Sequence, residues 1–160
     1  MSTQLLPPQA TQETQAVEAW TRLLRGQAAS RRSLDAQLQG DHGLTVNDYG
    51  ALLLLARAEG ARLRRVDLVD GLQLTASGVT RLLDGLERTG LVEAATCPAD
   101  RRVTYAALTP AGRGKLEEAS CSHVAAIRAL FEERYTTEEL STLTELLSRL
   151  PGAVADSCTP

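Results

Sequence analysis

The sequence is poor in aromatic residues: one Trp, one Phe and three Tyr in 160 positions. A core of ordinary size must therefore be built from Leu, Val and Ala, a composition that leans towards helix. Histidine is scarcer still, with only His42 and His123. Neither stands in a motif with a nucleophile or with metal-ligand spacing, so no catalytic residue, metal site or cofactor is assigned, and an enzyme is not expected. The three cysteines, Cys97, Cys121 and Cys158, are odd in number and lack CxxC spacing. They suggest neither a disulfide framework nor a zinc ribbon. Cys121 and His123 lie two apart on a helix and do not face one another. No apolar run approaches the roughly 18 residues of a membrane span. Residues 1–8 have no basic segment ahead of an apolar block, so neither a signal peptide nor a membrane is expected, and the expected location is cytoplasmic.

The charge that is present is unevenly spread. Between Arg62 and Lys115 there are nine basic and six acidic side chains; the flanks hold eight basic and fourteen acidic. A basic middle between acidic ends fits a nucleic-acid reader carried on a separate scaffold. The adjacent pairs Glu117-Glu118, Glu132-Glu133 and Glu138-Glu139 point apart on a helix and read as solvated faces.

Hydrophobic spacing predicts a polar arm over 1–11 and a long helix over 12–39, with Val17, Trp20, Leu24, Leu34 and Leu38 on its stripe and Gly40 as its stop. A helix of this length exceeds what one small domain covers, so part of it is expected to pack on another subunit. Thr45 and Asp48 have capping-box spacing and open a helix to about Ala58. A short helix follows from Arg65 to Leu72, with Val66, Val69 and Leu72 on one side. Thr75 to Thr89 forms a stronger one: Val79, Leu82, Leu83 and Leu86 make one stripe, and Ser77, Thr80, Arg81, Asp84 and Arg88 make the opposite one. The period then shortens. Residues 91–96 and 103–108 are compatible with two strands around a tip, Cys97-Pro98-Ala99-Asp100-Arg101-Arg102. Thr109-Pro110 caps a long helix to about Tyr135, and Thr137 opens a last one striped by Leu140, Leu143, Leu147 and Leu150. The tail 151–160 carries no pattern.

The middle of the chain thus reads helix, turn, helix, hairpin. Such a unit lays its second helix in a major groove. There Ser77 and Thr80 exchange hydrogen bonds with base edges, and Arg81 makes the bidentate pair to guanine. Arg101 and Arg102 on the tip suit a narrow minor groove, with Asp100 as an orienting carboxylate. Arg65, Thr75 and Arg88 complete the candidate DNA-facing set. Trp20, His42 and Tyr49 are the candidates for lining an effector pocket, with core packing as the plainer alternative. For Cys97, a redox switch stands beside an incidental surface thiol.

Leu74 to Val92, Asp100-Arg101-Arg102 and Leu108-Thr109-Pro110-Ala111-Gly112 together resemble the recognition helix, wing and L-T-x-x-G element of the MarR family. Leu44-Thr45 sits where that family opens its second helix. The resemblance extends by element order over about 15–150. It departs at Ala94 and Ala95, where many wings of the family carry arginines. It departs also at Cys97, where an acidic residue is usual, and before Cys97 there is no cysteine of the peroxide-sensing kind.

The resemblance implies a mainly α fold with a small β-hairpin wing. A winged helix-turn-helix lobe over 44–109 would be flanked by dimerisation helices at 12–39 and 110–150. It also implies a homodimer that binds a pseudo-palindrome of double-stranded DNA, commonly a repressor released by a small-molecule effector or by oxidation. Arg102 would be the minor-groove arginine of the wing and Asp100 its holder. The alternative is a winged-helix protein-interaction or sensor module with little DNA binding.

Overall fold

The computed structural model describes residues 8–96 and 104–152. Helix α1 spans Pro8–His42, α2 Val46–Arg57, strand β1 Arg62–Arg64, α3 Arg65–Leu72, α4 Ala76–Arg88, β2 Val92–Thr96, β3 Thr104–Leu108, α5 Pro110–Glu132 and α6 Thr137–Ser148. The three strands form one antiparallel sheet in the order β1-β3-β2. The expected mainly helical fold with a small hairpin wing is therefore present.

Helix boundaries follow local chemistry. Thr45 accepts from the Asp48 amide at 3.0 Å while the Asp48 carboxylate accepts from the Thr45 amide at 2.8 Å, which closes the box at the start of α2. Thr75 and Thr109 cap α4 and α5 by accepting from Gly78 and Gly112. Helix α1 runs past Gly40, which the sequence suggested as its stop. A helix tolerates an internal glycine; the break comes at Gly43, whose φ of +69° takes the chain out of the helical region. At the other end α1 already includes Pro8, inside the segment read as an arm. Helix α5 ends at Glu132, short of Tyr135, while α6 opens at Thr137 as expected, capped by Thr136 through a second box with Glu139.

Two further differences concern the lobe. Strand β1 was not apparent in the sequence. Its three residues are too few to show alternation, and it is held by pairing Leu63 with Ala106. In α3 the fully buried residue is Leu68, while Val66 is 55% exposed. With eight residues, the helix turns its core face by about one position from the side the sequence suggested.

The core is aliphatic. Ala51, Leu52 and Leu55 of α2 are fully buried together with Leu38 of α1, Leu68 of α3, Val79 and Leu83 of α4, and Ala119 of α5. Val92 and Ala106 bring the sheet into the same cluster. Burial of this kind contributes about 1.5–3 kcal/mol per large side chain, and here it sets α4 with one face inward.

The wing is fastened to α5 by a close approach. Thr109 donates from its amide to the Leu91 carbonyl and from its hydroxyl to the Gly90 carbonyl. A Cβ on Gly112 would stand 2.0 Å from that Leu91 oxygen. Gly112→Ala should therefore displace the strand β2 entry and cost about 1–3 kcal/mol, the usual penalty of overpacking. Urea unfolding measures it, and an unchanged midpoint would show that the contact yields freely.

Candidate nucleic-acid interface

Helix α4 divides its residues cleanly. Val79, Leu83 and Leu86 are buried; Ser77, Thr80, Arg81, Asp84 and Arg88 are exposed on the other side. The expected inner and outer stripes are both present, with Leu82 half-buried at their edge. Helix α3 packs beside α4, so the pair has helix-turn-helix form. The turn is made at Gln73, which adopts a left-handed conformation at φ 53° and ψ 40°.

The exposed polar groups differ in how far they are committed. The Thr75 hydroxyl accepts from Gly78 as the cap and lies 3.2 Å from the Ser77 hydroxyl, so its first task is structural. Thr80 donates its hydroxyl proton to the Ala76 carbonyl at 3.0 Å, which leaves its lone pairs facing outward. Arg88 donates from Nε to the Asp84 carbonyl at 3.1 Å and is drawn along the helix. Arg65, at the start of α3, lies 3.7 Å from a Glu87 carboxylate oxygen. Its neighbour Arg64 forms a two-point pair with Asp67 at 2.7 and 2.9 Å. That hydrogen-bonded pairing holds the Asp67 carboxyl below its ordinary range and raises Arg64 above its own. Asp100, Arg101, Arg102 and Cys97 lie outside the described residues.

The three residues suggested for an effector pocket do not come together. Trp20 and His42 are 22 residues apart on one continuous helix, a span of roughly 33 Å. Trp20 lines a cleft of about 940 Å³ between the first half of α1, the end of α5 and α6, with Leu23, Leu130, Phe131 and Leu147. His42 and Tyr49 instead meet α5 on the lobe side. His42 Nε2 is 2.7 Å from the Ser122 hydroxyl, and its Nδ1 is 3.4 Å from a Glu118 carboxylate oxygen without hydrogen-bond geometry. The Tyr49 hydroxyl is 3.2 Å from that of Ser120, and its ring stacks at a tilt 4.6 Å from the His123 ring.

The sequence assigned no inward position to His123. It is 4% exposed, and its Nδ1 is 3.4 Å from the Gln37 side-chain oxygen. Its spacing from Leu116 and Ala119, seven and four residues earlier on the buried stripe of α5, was the signal that could have placed it.

A model of the MarR family matches residues 42–103, from the end of α1 to the wing. The chain is 31% identical over 109 residues to the HTH-type transcriptional regulator MhqR of Bacillus subtilis (strain 168), spanning 68% of this chain and 73% of that one. The chain belongs to the MarR family. It is 32% identical over 108 residues to the HTH-type transcriptional repressor YetL of the same organism, spanning 68% of this chain and 64% of YetL. Its structure is similar to that of Sco3205, a MarR family transcriptional regulator from Streptomyces coelicolor solved in complex with DNA. The TM-score is 0.76 at 31% identity, covering 92% of this chain and 88% of Sco3205. MarR proteins are winged-helix transcriptional regulators rather than enzymes, and this chain is one of them. Among the described residues no helix is long and apolar enough to cross a membrane.

Burial lowers the pKa of His123, so the folded protein keeps this ring neutral where an unfolded chain would protonate it. The unfolded state then binds more protons on the acid side, and stability falls as pH is lowered. The contribution of His123 should be fully present above about pH 6.5 and should be lost as pH drops through that value towards the lower folded one. Urea midpoints from about pH 7.5 to about pH 5.5 should thus fall more steeply for wild type than for His123→Gln. Parallel curves would show that burial of the ring carries no proton linkage.

Proposed function

We propose that this MarR protein is a homodimeric repressor that binds a pseudo-palindromic operator and is released by a small ligand. The observation that carries the reading is the two-sided α4, which is fixed inward by Val79, Leu83 and Leu86 and presents Ser77, Thr80 and Arg81 outward from its first two turns. A recognition helix reads bases with its N-terminal residues. Arg81 reads guanine in the major groove, and Ser77 and Thr80 contact neighbouring base edges or phosphate. Arg88 and Arg65 contact the backbone. Thr75 acts through the cap. The wing residues Asp100, Arg101 and Arg102 serve the adjacent minor groove, with Asp100 orienting Arg102. YetL, a repressor, supports the sign of regulation by its name. A DNA-binding repressor works in the cytoplasm, beside the chromosome.

What the single chain leaves uncovered supports dimerisation. Val17, Trp20 and Leu24 on α1 and Leu146 and Leu150 on and beyond α6 are all more than 40% exposed, and Trp20, Leu146 and Leu150 line the 940 Å³ cleft. Each such side chain gains about 1.5–3 kcal/mol on full burial, and a second copy is the partner that supplies the same surface with two-fold symmetry. Wild type should sediment as a dimer at micromolar concentration, and Leu143→Glu with Leu147→Glu should give monomer or unfolded chain. A monomeric wild type would contradict the assembly. For the ligand, the part of the cleft around Gln27, Ser30 and Arg31 offers polar groups amid apolar walls. A redox role for Cys97 has no support beyond the sequence.

Selection of bound duplexes from a random pool tests the DNA reading. It should return a two-fold symmetric site with half-sites about one helical turn, roughly 10 bp, apart. Arg81→Ala should then cost about 1–3 kcal/mol and relax preference at one base pair of each half-site. Arg102→Ala should lose most on AT-rich flanks, whose narrow minor grooves attract arginine. Recovery of no preferred duplex would favour a protein-interaction module instead.

A further inference from the structure

Two arginines open α3, where the helix dipole disfavours cations. Each has a carboxylate partner, but the two pairs differ in kind. Arg64 is closed: both Asp67 oxygens accept from its guanidinium, at 2.7 and 2.9 Å. Arg65 is open. Its side chain is 37% exposed, and its Nη2 reaches one oxygen of Glu87 at 3.7 Å, too far for a hydrogen bond. That Glu87 oxygen is buried and has no hydrogen-bond partner among the described residues. A buried carboxylate oxygen left without a donor is costly, and a neighbouring cation offsets the cost even at this distance. Glu87 belongs to α4 and Arg65 to α3, so the contact also ties the two helices of the reading unit together at the end of the first that crosses the DNA backbone.

We propose that Glu87 is a positioning residue for DNA binding: it holds Arg65 beside α4 so that the open guanidinium closes on a backbone phosphate. Arg64, locked to Asp67, takes no part. The inference rests on the DNA-binding reading above and assigns a role to a carboxylate that a charge argument alone would count against binding. An unpaired Glu near phosphate repels; a Glu that aims an arginine pre-organises a charge-assisted bond. The two views give opposite signs.

The test is a salt series of anisotropy titrations with the selected operator duplex, comparing wild type, Arg65→Ala, Glu87→Gln, the double variant and Arg64→Ala. Each phosphate contact contributes about 0.9 to the slope of log affinity against log salt. Arg65→Ala should flatten the slope by about that amount per protomer, and Arg64→Ala should leave it unchanged. Glu87→Gln should weaken binding by about tenfold, near the worth of one charged hydrogen bond, and move the slope towards that of Arg65→Ala. The double variant should match Arg65→Ala. If Glu87→Gln does not fold, Glu87→Asp keeps the charge, shortens the reach and should show the same loss. Tighter binding by Glu87→Gln, with the slope unchanged or steeper, would overturn the proposal. So would an unaltered slope for Arg65→Ala, or a flattened one for Arg64→Ala. A wild type without salt-dependent binding to any duplex would instead sink the DNA-binding reading, and the proposal with it.

Discussion

The packing of α2 is the constraint from which the rest follows. Ala51, Leu52 and Leu55 have no exposed surface, and they share one buried cluster with Leu38 of α1, Leu68 of α3, Val79 and Leu83 of α4, and Ala119 of α5. Because α4 gives its whole apolar stripe to this cluster, its polar stripe has only one direction left. Orientation of the reading face is thus set by burial on the opposite side, and no residue of the outer stripe is needed to hold it.

The same hub joins two kinds of surface. On one side lies the helix-turn-helix pair with its exposed arginines. On the other, α1 and α6 leave large apolar side chains in solvent, an arrangement a monomer gains nothing from. Between them α1, α2 and α5 meet through polar side chains: His42, Ser122, Gln37 and His123 form a chain of contacts of 2.7–3.4 Å, and the Tyr49–Ser120 pair joins it through the Tyr49 and His123 rings. Apolar packing is indifferent to small rotations, whereas such contacts are directional. They fix how the long helices stand against the lobe, and so how two lobes in a dimer would be spaced along a duplex.

Much of this was legible in the sequence, and the reasons are local. The α4 stripes repeat over four turns with a cap at Thr75 and a stop at Gly90, so period and boundaries agree. The Thr45–Asp48 box and Thr109-Pro110 are short-range chemistry that operates without tertiary help. What escaped depends on distant partners. Strand β1 exists because β3 pairs with it. The inward turn of His123 depends on Tyr49 and Gln37, some 70 to 90 residues away. Trp20, His42 and Tyr49 were grouped by residue type, but the length of α1 separates the first from the others. Arg65 was counted simply as a basic contact; its carboxylate Glu87 lies 22 positions later, on the next helix but facing back. The wing tip, where Asp100, Arg101 and Arg102 carry the family resemblance, lies outside the described residues.

In the proposed assembly two copies of this chain read one duplex through two α4 helices. The mass of the complex with a symmetric operator, measured by sedimentation at concentrations above the dissociation constant, tests it most directly. Two chains per duplex are expected, and a duplex cut to a single half-site should be bound far more weakly, because the second contact would be lost. One chain per duplex, with equal affinity for the half-site, would contradict it.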